Sequence, residues 1–230
     1  MYAGKPVVIK PKSTNFGLGI TILKHNYDET DFKGALQIAF EHDNTLLIEK
    51  FIPGREFRIF IINDEVVGIL HRVPANVTGD GVLNIGQLID RKNEDPLRGK
   101  GYRTPLEKIR KGREEEMFLK QQGMDFNTVP KEGEVVYLRE NSNISTGGDS
   151  IDFTDDIDDS YKAIAVEAAK ALNVKITGLD MMIQDIHAPA TPDNYAIIEM
   201  NFNPAIHIHC YPFKGKNRHL NHKMIRALGF

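Results

Sequence analysis

Two apolar stretches of the chain follow one another with a polar interruption of only two residues. EFRIFIIN ends at Asn63, Asp64 and Glu65 come next, and VVGILHRV begins at Val66. Both stretches are rich in Ile, Val and Phe, which favour strands, so the spacing predicts a β-hairpin that turns at Asp64 and Glu65. Strands joined this closely pair antiparallel, because a parallel pair needs a crossover of a dozen or more residues. The chain is therefore restricted to folds that contain an antiparallel sheet.

Helix-like and strand-like patterns alternate along the rest of the chain. One predicted helix begins at Asp28 or Thr30, either of which is a good N-cap, and carries apolar residues at helical spacing from Phe32 to Phe40. A second helix is predicted from about Thr154. Further strands are predicted at residues 6–10, 19–23, 46–52, 135–140, 175–184 and 194–201. This order predicts the α+β class, with mixed, largely antiparallel sheets and flanking helices.

The chain is expected to divide near residue 52. Residues 1–52 form a smaller part with a glycine-rich loop, and residues 53–230 form a larger part. Within the larger part, residues 92–134 are highly charged and interrupted by glycines, which predicts a mobile, partly helical insertion with solvated charges. Its TPLE stretch has the capping-box pattern, so a helix is expected to start there with Pro105 at the first helical position.

Charge and composition exclude several classes of protein. The net charge is −3 with both signs interspersed, which disfavours nucleic acid or an anionic membrane surface as a partner. No apolar run approaches the roughly 20 residues that span a bilayer, and the first residues do not resemble a signal peptide. Cys210 is the only cysteine, which excludes an internal disulfide and is typical of the reducing cytoplasm. We therefore expect a cytoplasmic protein without a membrane partner.

The stretch IIEMNFNP ends a predicted strand with polar side chains. Because side chains alternate along a strand, Glu199 and Asn201 share one face. The opposite face carries Ile198, Met200 and Phe202 and is expected to lie in the core.

Asp180 lies in KITGLDMMIQ, the predicted strand that precedes this one along the chain. If the two strands pair antiparallel, Asp180 comes opposite or close to Glu199, and Asn201 joins them. Two carboxylates so close together need a proton or a cation between them. Oxygen donors of this kind suit Mg²⁺, with Mn²⁺ as the second candidate. Polar groups at frayed strand ends remain the alternative.

Lys10 ends the apolar strand VVIK and precedes a loop rich in Ser, Thr, Asn and Gly. Ser13 supplies a donor, and Gly17 and Gly19 let the backbone approach an anion closely. No GK[ST] opens a helix here, so this is not a P-loop. A plain turn is the alternative, and the neighbouring lysine favours phosphate binding.

The stretch EKFIPGREF offers an edge for a nucleotide. Backbone groups at the end of its apolar strand can pair with an adenine edge, and Glu56 can accept hydrogen bonds from ribose hydroxyls. A strand, a turn and a second strand without a ligand remain the alternative. The residues at the predicted adenine edge are Glu49, Lys50, Phe51 and Ile52.

Arg58, Arg72 and Arg139 each lie on predicted strands of apolar residues. An arginine in such a position usually binds a carboxylate or phosphate, because its planar fork suits both. A structural ion pair is the alternative reading for one of the three. The loop NSNISTGG after Arg139 adds neutral donors for an anion or a substrate at Asn141, Asn143 and Ser145.

Taken in chain order, these motifs resemble the ATP-grasp carboxylate–amine ligases. The resemblance rests on four motifs: VIKP with its glycine-rich loop, EKFIPGREF, the strand that contains Asp180, and EMNFNP. Longer stretches are similar to the glutathione synthetase portion of the bacterial bifunctional glutathione-biosynthesis family: VVIKPKSTNFGLGI, EKFIPGREFRIFII, HRVPANVTGDG, DPLRGKGYRTPLEKI and LRENSNISTGGDSID. Cyanophycin synthetases share the ATP-grasp motifs and a similar loop, so they are the nearest alternative.

The resemblance covers nearly the whole chain and implies a partial ATP-grasp fold with the nucleotide held between two subdomains. It implies ATP phosphates at Lys10 and the loop 13–19, adenine at 49–52, and ribose at Glu56. The remaining implied roles are Mg²⁺ binding by Asp180, Glu199 and Asn201, catalysis by Arg72, Arg139 and Asn203, and substrate binding by Arg58, Asn141, Asn143 and Ser145. Some relatives carry an arginine two residues before the metal-binding aspartate, where this chain has Gly178, so Arg139 or Arg72 would cover that role.

The implied activity is ATP-dependent ligation of γ-glutamylcysteine and glycine to glutathione through an acyl phosphate. Such relatives carry a preceding domain and the first half of the nucleotide-binding subdomain. We therefore expect the chain to be the C-terminal part of a larger bifunctional enzyme, with upstream domains as partners and with doubtful activity alone. A homodimer is left open, and a nucleotide-binding module without ligation chemistry is the alternative from another class.

Overall fold

The computed structural model describes residues 5–14, 18–24 and 26–230. The chain divides into two compact units, Met1–Pro53 and Gly54–Phe230, which are described separately below. Within the described ranges, no helix has the length and apolar character needed to cross a membrane.

The first unit is a small antiparallel sheet with one helix. Its elements are β1 (Val7–Pro11), β2 (Thr21–Leu23), α1 (Glu29–Phe40) and β3 (Leu46–Lys50), with the strand order β2-β1-β3. Asp28 caps α1, because its side chain accepts a hydrogen bond from the Asp31 amide and the Asp31 side chain accepts one from the Asp28 amide. The helix buries Ala35 and Ala39 in one cluster with Val7 and Ile9. Of the two predicted N-caps, Asp28 is therefore the correct one.

The second unit is built on a five-stranded antiparallel sheet with the order β10-β5-β4-β11-β12. The strands of the whole second unit are β4 (Arg55–Ile62), β5 (Glu65–Val73), β6 (Asn76–Thr78), β7 (Arg98–Gly99), β8 (Leu106–Glu107), β9 (Val135–Tyr137), β10 (Asp149–Asp152), β11 (Ile176–Ile183) and β12 (Tyr195–Asn201). Of these, β6 pairs with β9 and β7 with β8 in separate two-stranded sheets. Its helices are α2 (Ile85–Lys92), α3 (Arg113–Gln121), a 3-10 turn (Ile144–Thr146), α4 (Asp159–Ala171), α5 (His207–Cys210) and α6 (Leu220–Ala227).

The predicted hairpin is present as β4 and β5, but its turn lies one residue earlier than expected. Ile62 pairs with Glu65, so the two turn residues are Asn63 and Asp64. Both have positive φ, 48° and 65°. Asn and Asp tolerate this left-handed conformation better than most residues, and two such residues in succession match the right-handed twist of the strands. Glu65 therefore starts β5 instead of forming the turn.

Helices cover both faces of this sheet. On one face, α4 buries Tyr161, Ala165 and Ala169 against β4, β5 and β11. On the other face, α5 and α6 contribute Cys210 and Leu220 to a cluster with strand side chains. The second predicted helix begins at Asp159, with Asp158 as its N-cap, and not near Thr154. The sheet is thus held from both sides, which fixes the strands that carry the polar side chains described next.

The charged segment, residues 92–134, is partly helical, as expected, but the TPLE stretch is not a helix. Leu106 and Glu107 form β8, which pairs parallel with β7. The Leu106 amide donates to Leu97 O and the Lys108 amide to Gly99 O, so the backbone donors bind a neighbouring strand in place of a helical turn. The segment also contributes to a buried cluster, because Ile109 and Leu119 pack with residues of α2, β6 and β9. Burial of this kind overrides the local capping signal.

Candidate functional site

Asp180 lies on β11, an interior strand of the large sheet next to the edge strand β12. On β11 it pairs with Arg58 of β4 on one side and with Glu199 of β12 on the other. The Asp180 side chain is only 3% exposed. The expectation that the two strands pair antiparallel and bring Asp180 opposite Glu199 is confirmed by this register.

Two arginines hold the Asp180 carboxylate. Arg58 Nε donates to Oδ1 and Arg58 Nη2 donates to Oδ2 at 2.8 Å, which is the bidentate geometry of a strong pair. Arg72 Nη2 donates to Oδ2, also at 2.8 Å. Burial raises the pKa of the Asp180 carboxyl, but the hydrogen bond from Arg58 and the charge of Arg72 outweigh burial and hold the pKa below its ordinary value. Asp180 is therefore ionised at neutral pH.

Glu56 extends the cluster on the side of Arg72. Its carboxylate pairs with Arg72 Nη2 and accepts a hydrogen bond from the Ser142 hydroxyl. The Asn141–Gly148 turn is therefore linked to Arg72 through Glu56. The sequence predicts that Glu56 binds the ribose of a nucleotide. The structure places its carboxylate in the same ion-pair cluster as Asp180, because both carboxylates pair with Arg72. Ser142 is not among the predicted site residues, although it lies between Asn141 and Asn143, which are. One serine in a polar loop gives no signal of its own.

Asn201 and Glu199 lie on the same strand as expected, and Asn201 Nδ2 donates to Glu199 Oε1 at 3.1 Å. Glu199 is exposed, while Asn201 is half-buried and pairs with Gly178. Asn203 follows the strand and is exposed. The carboxylate of Asp180 and the side chains of Glu199 and Asn201 thus form one group of oxygen donors at neighbouring register positions.

The opposite face of β12 departs from the expectation. Met200 packs against the core, but Ile198 is 41% exposed and Phe202 is 94% exposed. The register shifts at Asp180, where Glu199 is followed by Ile197 as the next paired residue, so Ile198 is bulged out of the ladder. Phe202 lies beyond the last paired residue. The prediction that Ile198 and Phe202 anchor the strand in the core is wrong.

Gly178 leaves the space that Arg58 and Pro204 occupy. A Cβ atom at Gly178 would lie 2.7 Å from Pro204 Cβ and 3.0 Å from Arg58 Cδ. These distances are shorter than ordinary van der Waals contact, so a side chain here would displace its neighbours. Arg58 reaches Asp180 from the adjacent strand, and its side chain lies against Gly178. Arg72 also reaches Asp180, whereas Arg139 does not lie in this cluster.

Arg139 lies in a separate ion-pair group with α3. Its Nε and Nη2 atoms both lie 2.6 Å from Glu115 Oε1, and Nη2 also pairs with Glu114. Glu115 is 1% exposed in its side chain, so this pair is well shielded. The following loop keeps its shape through internal bonds, since the Thr146 hydroxyl lies 2.9 Å from both Asn141 Oδ1 and Asn143 O. Ser145 is half-buried in the same turn. The catalytic and substrate-binding roles of these residues stay predictions.

Lys10 and Glu49 form an ion pair within the first unit, with 2.7 Å between Nζ and Oε2. Lys10 sits on β1 and pairs with Leu47 of the neighbouring β3. Of the predicted phosphate loop, the Ser13 amide donates to Asp43 Oδ2 at 2.8 Å. Gly17 lies outside the described residues. Gly19 has φ +75°, and a Cβ there would lie 2.6 Å from His42, so the turn itself requires glycine.

The predicted adenine edge lies at the end of β3. Lys50 is its last residue and is exposed, and the Phe51 amide donates to Pro6 O at 3.0 Å. Phe51 also lies under the Lys24 ammonium, 5.4 Å from the ring centroid, and Ile52 is half-buried. The nucleotide roles of these residues stay predictions.

Sequence reasoning missed a second buried charge cluster around Asp149. Lys92 Nζ donates to Asp149 Oδ2 at 2.7 Å, Asn76 Nδ2 donates to the same atom at 2.9 Å, and Arg98 pairs with Oδ1. The charge pattern of residues 92–134 predicts a solvated face, but the Arg98 side chain is fully buried, so the prediction is wrong at this residue. Among the described residues, no group of three or more His, Cys, Asp or Glu side chains is arranged to hold a metal ion. Asp180, Glu199 and Asn201 do not form such a group, because the third oxygen donor is an asparagine amide.

Comparison with known proteins shows which proteins this chain is similar to. A family model described as the D-Ala D-Ala ligase C-terminus matches residues 2–84. The glutathione biosynthesis bifunctional protein of Desulfotalea psychrophila is 63% identical over 229 residues, which is 100% of this chain and 29% of that protein. Along its whole length, this chain matches one part of the bifunctional glutathione biosynthesis proteins. The protein of the same description from Clostridium perfringens is 57% identical over 99% of the chain and 29% of its own length.

The fold agrees with a solved structure of this group. The crystal structure of a bifunctional glutathione synthetase from Pasteurella multocida aligns with a TM-score of 0.75 and 47% identity, covering 97% of this chain and 31% of that one. The predicted resemblance to the bifunctional glutathione biosynthesis proteins and the predicted partial ATP-grasp fold of the α+β class are therefore confirmed. The chain spans about three tenths of the length of the relatives that it matches.

Proposed function

We propose that this chain carries the ligase site for ATP-dependent joining of γ-glutamylcysteine and glycine to glutathione through an acyl phosphate. The observation that carries the proposal is the Asp180 cluster, in which a buried carboxylate is fixed by Arg58 and Arg72 and faces two further oxygen donors. It occurs in a chain that matches bifunctional glutathione biosynthesis proteins along its whole length. The activity of the complete relatives is brought to this chain as part of the proposal.

The charges of the cluster are consistent with a need for a divalent cation. Arg58 and Arg72 carry two positive charges, and Asp180, Glu56 and Glu199 carry three negative ones. The balance of −1 repels a triphosphate, whereas one added divalent cation reverses the sign to +1. The cluster would therefore attract ATP only together with its metal ion.

The donor set fits Mg²⁺, with Mn²⁺ as the second candidate. Asp180, Glu199 and Asn201 would hold the ion, because hard cations of this size prefer carboxylate and amide oxygens. The arginines already keep Asp180 ionised, so no proton has to leave before a cation binds. When bound, the ion would neutralise charge on the β- and γ-phosphates of ATP.

The chain's own residues would act mainly through position and charge. In the first step a carboxylate oxygen of γ-glutamylcysteine bonds to the γ-phosphorus while the bond to the β-phosphate oxygen breaks, which releases ADP. The glycine amine then bonds to the activated carbonyl carbon, phosphate leaves, and the amine loses a proton. Arg72 and Arg58 would stabilise the negative charge that is transferred. Lys10 in the first unit is assigned to the ATP phosphates, and Arg139 and Asn203 to the transferred phosphate, on the resemblance alone.

Release of ADP tests the proposal. The chain is incubated with ATP and Mg²⁺, with γ-glutamylcysteine and glycine together, and with each substrate omitted in turn. Continuous ADP release that requires both substrates supports the proposal, because γ-glutamylcysteine alone would release at most one ADP per site when it forms the acyl phosphate. Release that instead requires an aspartate polymer and arginine favours a cyanophycin synthetase-like ligase.

The same measurement is repeated with this sequence joined to the upstream domains of a bifunctional relative. Activity only in the longer polypeptide would show that the site needs those domains as partners. Binding of an ATP analogue without ADP release in either form would favour a nucleotide-binding module without ligation chemistry, and would contradict the proposal.

A further inference from the structure

Arg98 is a fully buried arginine that lies outside the Asp180 cluster. It occupies β7 in the charged segment, and its side chain has no exposed surface. Burying a guanidinium is costly unless its donors are paired. Among the described residues, both terminal nitrogens of Arg98 have partners, whereas Nε has none. Phe213 covers the group from one side, with 5.4 Å between its ring centroid and Arg98 Cζ. An arginine so enclosed has its orientation fixed by its partners.

Most of these partners are backbone carbonyls of the Asn141–Gly148 turn and its neighbour β8. Arg98 Nη1 donates to Gly147 O at 3.0 Å and to Glu107 O at 2.8 Å, and Nη2 lies 3.5 Å from Gly148 O. Nη2 also pairs with Asp149, the first residue of β10. One side chain therefore fixes the last two residues of the turn and the start of the strand that follows.

The other end of this turn is tied to the proposed site. Ser142 donates to Glu56, and Glu56 pairs with Arg72. On β10 the residue after Asp149 is Ser150, which pairs directly with Arg72 of β5. The turn is thus fixed to the strand of Arg72 at one end and to its partner Glu56 at the other.

The turn itself has little freedom between these two attachments. Gly147 has φ +94°, and a Cβ there would lie 2.8 Å from Ile109 Cα. A Cβ at Gly148 would lie 2.8 Å from both Asn143 O and Val73 O. The position of the turn therefore depends on the contacts at its ends, and Arg98 donates to the two carbonyls at its C-terminal end.

We propose that Arg98 is a positioning residue that holds the Asn141–Gly148 turn in register with Arg72, and thereby sets the binding of the peptide substrate. This inference rests on the proposed function and on the prediction that Asn141, Asn143 and Ser145 bind substrate. Arg98 acts through the turn and contacts no reacting group. A lysine at this position keeps the charge for Asp149 but lacks the planar fork, so it leaves the carbonyls of Gly147 and Gly148 without a donor.

The first test is hydrogen exchange of the turn amides in R98K, in the full chain at a temperature well below the unfolding midpoints of both proteins. The amides of Thr146, Gly147 and Gly148 are hydrogen-bonded within the turn. We expect them to exchange about tenfold faster in R98K, since tenfold corresponds to about 1.4 kcal/mol of lost local stability. R91K is the matched control, because Arg91 lies on the neighbouring α2 and pairs with Asp80 at the surface. Unchanged exchange in R98K would overturn the inference.

The second test compares the KM for γ-glutamylcysteine with the KM for ATP in the polypeptide form that releases ADP. In R98K the KM for γ-glutamylcysteine should rise about tenfold or more, since small misplacements of binding groups have effects of this size, while the KM for ATP stays within about twofold. T146V should give the same pattern, because it removes hydroxyl bonds inside the turn and leaves the Asp149 cluster intact. T146V also serves if R98K does not fold.

The outcomes distinguish this inference from the proposed function. Equal rises of both constants in R98K and T146V, or a loss of thermal stability with both constants unchanged, would overturn the positioning role. Absence of ADP release from the unsubstituted protein in every form would contradict the proposed function. In that case the exchange rates still decide whether Arg98 holds the turn.

Discussion

Arg58 and Asp180 face each other on adjacent strands and are joined by two parallel hydrogen bonds in the interior of the second unit. The Arg58 side chain is 10% exposed and that of Asp180 3%. Two charges in such surroundings depend on one another, because each would otherwise be buried without compensation. The stability of the strand pair and the chemistry proposed for the site therefore involve the same two side chains.

Replacing Arg58 by methionine should destabilise the fold. The change leaves Asp180 with Arg72 as its remaining cationic partner, so we expect the free energy of unfolding to fall by about 3–5 kcal/mol, as found when one member of a buried ion pair is removed. Urea denaturation measures this loss. The pKa of the Asp180 carboxyl should also rise, because the hydrogen bonds from Arg58 that lower it are lost.

Arg55→Met on the same strand is the matched control. Arg55 is exposed and lies over the rings of Phe57 and Phe153, so its loss should cost no more than about 1 kcal/mol. In a D180N background the cost of Arg58→Met should shrink, since no buried charge is left behind. Equal costs for R58M and R55M would contradict the importance of the Arg58–Asp180 pair.

Alanine substitutions at two glycines should have opposite signs. A methyl group at Gly178 meets Pro204 and Arg58, so G178A should destabilise by about 1–3 kcal/mol, the usual cost of overpacking. Gly34 lies inside α1, and no atom of the described residues outside the local helix backbone lies within 4 Å of its Cβ position, so G34A should stabilise by about 0.5–1 kcal/mol. Thermal unfolding of both variants checks the pair. A neutral G178A would show that Arg58 does not depend on the absence of a side chain there.

His209 should make stability depend on pH in the weakly acidic range. The ring is fully buried, and neither nitrogen is hydrogen-bonded to any residue that the structure describes. Burial together with the charge of Arg58 lowers its pKa to about 3. The unfolded chain takes up this proton near pH 6.5, so the stabilising effect is complete above that pH and is lost as pH falls towards the folded pKa. Within this window one such group contributes a slope of about 1.4 kcal/mol per pH unit.

His209→Leu should remove this slope. Between pH 6 and 5 the free energy of unfolding of the variant should fall less steeply than that of the unsubstituted chain, as measured by urea denaturation at each pH. Exposed His222→Leu is the control and should leave the slope unchanged. Parallel pH profiles for H209L and the unsubstituted chain would show that His209 is not buried in its neutral form.

Much of the fold was predictable where local and long-range signals agree. The β4–β5 hairpin follows from two apolar runs with a short connection, and α1 follows from apolar periodicity behind Asp28. The pairing of Asp180 with Glu199 follows from two strands joined by a loop. These features depend on alternation and on turn chemistry, which a sequence displays directly.

Other features depend on tertiary contacts that leave no local trace. The TPLE stretch has a helix-start pattern, but its amides bind β7 as part of a buried segment. The bulge at Ile198 breaks the simple alternation of β12, so strand periodicity alone misassigned Ile198 and Phe202. Arg98 was hidden in a run of charges, because composition cannot distinguish a solvated arginine from one that binds carbonyls in the interior.

We propose that Asp180 and Glu199 hold the divalent cation that brings ATP to this site. Isothermal titration with a non-hydrolysable ATP analogue, with and without Mg²⁺, tests it most directly in the unsubstituted chain, in E199Q and in D180N. Glu199 is exposed, so E199Q should leave the fold intact. We expect binding to the unsubstituted chain to require Mg²⁺ and both variants to lose the Mg²⁺-dependent part. Binding that keeps its full Mg²⁺ dependence in E199Q and D180N would contradict the claim.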